Sequence, residues 1–125
     1  MKRKAYQLLL ILGVASFSVN AEVLSYNCNY PYYSNEDGVH ASKGFKIEFK
    51  YDSITKDAFM VGNNGLSKVI AIKESEGITF LEVLSTGAVQ TTTIANNNKS
   101  VHSRHTLMFP EQLVPSQYYG KCIKK

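Results

Sequence analysis

The sequence predicts an all-β domain: a small antiparallel barrel of about eight strands in a meander, with a β-sandwich as the alternative. Three observations predict it. From Phe45 to Asp52, apolar and charged residues alternate without a fault, and a period of two places one set in a core and the other in water. Short β-branched and aromatic runs recur every ten residues or so, separated by Gly- and Asn-rich turn signals. Cys28 and Cys122 stand near opposite ends of these runs, where a bridge would fasten the first strand to the last.

Residues 1–21 read as an export signal. Met1-Lys2-Arg3-Lys4 is basic, Leu8 to Phe17 is apolar apart from Gly13 and Ser16, and Val19 and Ala21 suit the two small-residue pockets of a signal peptidase,. The apolar run is too short to span a bilayer, which takes about 20 residues. Cleavage would leave Glu22 as the first residue of a single β domain, 22–125, in the periplasm or secreted, with no membrane span.

Strands are expected at Val23–Tyr30, which ends before Pro31, at Phe45–Asp52, and at Ala58–Val61, which stops at Gly62-Asn63-Asn64-Gly65,. Lys68–Lys73, Ile78–Leu84, Val89–Ala95, Ser100–Phe109 and Gln117–Ile123 complete the set. The polar segment from Tyr30 to Gly38 reads as a loop, and residues 110–116 as a short turn of helix.

Charge narrows the partners. The full chain carries +4, but removing Lys2, Arg3 and Lys4 leaves eleven basic residues against ten acidic ones, a net of +1. The remaining lysines between Lys43 and Lys73 are interspersed with Glu48, Asp52, Asp57 and Glu74. This is a mixed solvated surface rather than the one-sided basic face of a nucleic-acid protein. In an oxidising compartment, Cys28 and Cys122 are expected to pair. No zinc spacing, phosphate loop, dinucleotide fingerprint or nucleophile elbow is present, so no cofactor, metal or catalytic residue is assigned.

The candidate binding residues fall into two groups. Tyr30, Tyr32 and Tyr33 lie in the expected loop, and loops often carry binding groups. His102, Arg104 and His105 lie in the expected strand 100–109. Residues three apart on a strand face opposite ways, so His102 and His105 do not chelate together, whereas His102, Arg104 and Thr106 share a face. An inward Arg104 would need a partner such as Glu82, because a buried unpaired cation is too costly.

Thr91-Thr92-Thr93-Ile94, Ser103-Arg104-His105-Thr106 and Pro115-Ser116-Gln117-Tyr118-Tyr119-Gly120-Lys121-Cys122 together resemble the C-terminal half of small exported bacterial proteins of unknown function. The layout is also similar to periplasmic C-type lysozyme inhibitors. The likeness rests on an export signal, Tyr26-Asn27-Cys28, an alternating strand ending in Tyr51-Asp52, and a late cysteine. That resemblance implies a small antiparallel barrel. The inhibitors carry a Ser-Gly-x-x-Tyr type motif that Ser85-Thr86-Gly87 does not match, so no inhibitory residue is carried over. The expected role is an exported, non-catalytic binding protein, partnered by another envelope or extracellular protein or by a small ligand. A carrier with a ligand cavity in the barrel and a hydrolase are the alternatives.

Overall fold

The computed structural model describes residues 22–62 and 65–125, together with Gly13. The remaining residues of 1–21, where an export signal is expected, and Asn63-Asn64, where a turn is expected, lie outside the described residues. Eight strands follow one another: β1 (Val23–Asn35), β2 (Gly38–Asp52), β3 (Ala58–Gly62), β4 (Gly65–Glu74), β5 (Gly77–Val83), β6 (Val89–Ala95), β7 (Lys99–Met108) and β8 (Gln112–Lys124). Each pairs antiparallel with the next, and β8 returns to β1, so the sheet closes as a barrel. Closure removes the free edges that the open sheets of a sandwich would leave. Among the described residues no helix is long and apolar enough to cross a membrane.

The strict alternation of β2 sends Ile47, Phe49 and Tyr51 into the barrel, where all three are buried. Phe49 stacks flat on Phe80 of β5, with ring centroids 4.3 Å apart, and Tyr26 of β1 meets Phe80 edge-on at 5.7 Å. Such aromatic pairs contribute beyond their buried area. Cys28 and Cys122 are buried, stand opposite each other on β1 and β8, and form a disulfide. The bridge therefore spans the seam at which the barrel closes.

Two expectations are corrected. The segment from Tyr30 to Gly38 is not a loop: β1 runs on to Asn35 and β2 begins at Gly38, making one long hairpin. Pro31 does not end the strand because it sits in a bulge, where the register shifts between Tyr30 and Tyr32. A bulged position leaves no ladder bond for the missing N–H to break. Residues 110–116 are not helical either. β7 turns at Phe109-Pro110-Glu111, with a cis Phe109–Pro110 peptide, and β8 starts at Gln112.

Candidate functional site

The register stacks the inward side chains of β5 to β8 in rows. Ile78, Ile94, Ser100 and Gly120 are opposed in one row, Phe80, Thr92, His102 and Tyr118 in the next, and Glu82, Gln90, Arg104 and Ser116 in the third. The rows become more polar toward the end of the barrel from which the β1–β2 and β7–β8 hairpins project.

Tyr30 is corrected from an exposed loop residue to the most enclosed part of the core, at 0% exposure. The hydroxyl of Ser100 donates to the Thr93 carbonyl at 2.9 Å, so Tyr30 donates its own hydroxyl to Ser100 Oγ at 2.8 Å. Burial pushes the Tyr30 phenol up to about 12, which keeps that proton in place. Tyr33 lies half-buried at the mouth, stacked on Tyr118 at 5.4 Å and close to His40 at 5.1 Å. Tyr32 points outward and is 56% exposed.

His102 and Arg104 face inward together, and His105 is exposed on the outer face. His102, at 1% exposure, joins Nδ1 to Thr92 Oγ1 at 2.7 Å, while its Nε2 is buried without a partner. The Arg104 guanidinium carbon sits 4.8 Å from the Phe45 ring centre and 5.2 Å from that of Tyr118, a cation held over two adjoining rings whose centres are 4.6 Å apart,. Arg104 Nε and Glu82 Oε2 are also buried and unpartnered. Glu82 is one example of the carboxylate that an inward Arg104 would need. It faces the same third row across Gln90 but forms no ion pair among the described residues. Burial raises the Glu82 carboxyl, and the Arg104 charge partly offsets that.

Burial, helped by the Arg104 charge, lowers His102 from 6.5 to about 4, so the ring is neutral in the folded protein near pH 7. The unfolded chain binds the proton more readily, so the His102 contribution is complete above pH 6.5 and is lost as pH falls toward 4. The expected cost between pH 7 and pH 5 is about 2 kcal/mol. Glu82, raised by burial, acts in the opposite sense, so the effect is isolated by comparing urea unfolding of wild type and His102→Gln at both pH values. Equal pH dependence in the two proteins would contradict a buried neutral His102.

The space bounded by Phe49, Met60, Phe80, Thr92 and His102 has no room for a water molecule. The cavity that the alternative carrier reading requires is absent at this level, where side chains fill the space. The larger concavities lie outside. One, of about 800 Å³, runs over the outer face of β1, β6, β7 and β8. A smaller one lies where Asn35-Glu36-Asp37 of the first hairpin passes Gln112–Pro115 of the last.

Sequence reasoning missed the β7–β8 tip. Leu107, Met108, Leu113 and Val114 are exposed there, and Phe109 is 97% exposed. The available signal was local: after the polar run His102 to Thr106, three apolar residues, Leu107, Met108 and Phe109, follow in a row.

No protein-family model matches the chain, and comparison with curated proteins gives no match. Among solved structures, the chain is similar to the isotype 1 transferrin binding protein B from serogroup B Neisseria meningitidis. The TM-score is 0.43 at 13% identity, over 88% of this chain and 28% of that one.

Proposed function

We propose that this chain is an exported, non-catalytic binding protein that grips a protein partner with the barrel end carrying the β1–β2 and β7–β8 hairpins. In this reading residues 1–21 direct export and the working protein begins at Glu22. The observation that carries it is the exposed apolar tip formed by Leu107, Met108, Phe109, Leu113 and Val114. Contiguous apolar patches on a soluble domain mark contact sites, and a projecting aromatic ring is a common anchor in interfaces. The disulfide fits an oxidising location,. Glu111 at the tip, with Glu36 and Asp37 on the neighbouring hairpin, favours a protein over an anionic bilayer, which attracts basic segments. The packed level around Phe49, Phe80 and His102 favours binding on the outside of the barrel over a lumenal cavity there.

The test compares wild type with Phe109→Ser and Leu113→Ser as bait in envelope extract. Phe109 should behave as a hot spot worth about 2 kcal/mol or more. The same captured proteins should fall by at least tenfold with either variant, while the thermal midpoint of the barrel stays within a few degrees. Undiminished capture by both variants would overturn the reading.

A further inference from the structure

The 800 Å³ groove on the outer face lies away from the hairpin tip, and its volume falls within the roughly 300–1,000 Å³ typical of small-molecule sites. Its lining is mostly apolar, and the exposed side chains of Tyr32, Val101, Tyr119 and Ile123 form much of it. Tyr119 is fixed in place. Its hydroxyl donates to Gln117 Oε1 at 3.0 Å and accepts from Ser34 Oγ at 2.9 Å. One wall of the groove is thus set before any ligand arrives, which lowers the ordering cost of binding.

Charge identifies the occupant. Lys99 and Lys121 line the same groove and stand directly opposite each other on β7 and β8, one row beyond Val101 and Tyr119 on that face. Like charges directly opposed across strands are destabilising. Among the described residues the ion pairs are Lys50–Glu48 and Lys68–Asp57, so neither groove lysine has a carboxylate to offset the other. An anion placed between the two ammonium groups would relieve that repulsion, and the apolar wall beside it would cover a hydrocarbon chain. We infer that this groove binds a single-chain anionic amphiphile, headgroup between Lys99 and Lys121, chain along Val101, Tyr119 and Tyr32. The site is separate from the protein-binding tip and does not depend on it.

Calorimetry and amide-shift mapping on the exported, disulfide-bonded protein test this with twelve-carbon probes kept below their micelle concentrations. Dodecanoate and dodecyl phosphate should bind at least tenfold more tightly than neutral dodecyl maltoside, and dodecyltrimethylammonium should bind more weakly still. The tighter of the two anions separates a fatty-acid head from a lysophospholipid-like phosphate. Lys99→Gln/Lys121→Gln, two exposed and outward positions, should bring dodecanoate to the maltoside level with a thermal midpoint no lower than that of the wild type, since the variant also removes the opposed like charges,. Shifts should centre on the outer face of β1 and β6 to β8. The inference is overturned by equal binding of anionic and neutral probes, by an unaffected double variant, by shifts confined to residues 107–114, or by no binding of either anion.

Discussion

Reduction of the Cys28–Cys122 disulfide is expected to lower the unfolding free energy by about 4 to 5 kcal/mol. The bridge joins residues 94 apart, and the chain-entropy relation gives roughly 4.7 kcal/mol for a loop near 100 residues. A domain of this size has a total stability of about 5 to 15 kcal/mol, so the loss is a large fraction of it. The location sharpens the effect. Cys28 and Cys122 are paired neighbours across the β1–β8 seam, the pairing of greatest sequence separation in the barrel, and long loops are the costliest to close. Urea unfolding with and without reductant should show a lower midpoint, and the thermal midpoint should fall on the order of 20 °C. Cys28→Ala/Cys122→Ala should match the reduced protein and ignore reductant. A loss under 1 kcal/mol in both would mean that the hydrogen bonds of the seam suffice without the bridge.

The same seam shows what could be read from residue order and what could not. Alternation from Phe45 to Asp52 placed Ile47, Phe49 and Tyr51 in the core, because a period of two admits only that division. The disulfide was expected from two cysteines and an export signal read in the sequence. The parity of β7 correctly grouped His102 with Arg104 and separated His105; Glu82, one example of a partner for an inward Arg104, faces the same row without forming an ion pair among the described residues. Which face pointed inward was not legible. That choice is made by Tyr30, Phe45 and Tyr118, aromatic neighbours contributed by three other strands. Pro31 was read as the end of β1 because a proline cannot donate to a ladder. The structure instead places it in a bulge that carries the strand onward. That one misreading turned Tyr30 from core to loop and hid the length of the first hairpin. The exposed tip at Phe109 was missed for a different reason. An apolar run at a strand end looks the same whether or not another element covers it, and coverage is a property of the whole fold.

Gly120→Ala is expected to destabilise the barrel by about 3 to 5 kcal/mol, in the range of severe overpacking. A Cβ at Gly120 would fall on the backbone of β1, at the Asn29 carbonyl and beside Tyr30 Cα. Backbone cannot swing aside as a flexible side chain can. The relief must come from moving β1 away from β8, beside the register shift between Asn29 and Tyr32 and two residues from the disulfide. Two small inward residues in one row, Ser100 and Gly120, leave the room that the Tyr30 ring fills, and the Tyr30–Ser100 hydrogen bond depends on that approach. Gly62→Ala is the control. A Cβ there comes no closer than 3.8 Å to the Gly65 carbonyl oxygen, so the change should stay within about 1 kcal/mol of wild type. Denaturant midpoints of the two variants should differ widely, and amide exchange in Gly120→Ala should accelerate first along β1 and β8. Equal stability of the two variants would mean that β1 can shift without cost. The closing seam would then be an adjustable contact instead of the tightly fitted joint formed by Gly120, Tyr30 and the Cys28–Cys122 bridge.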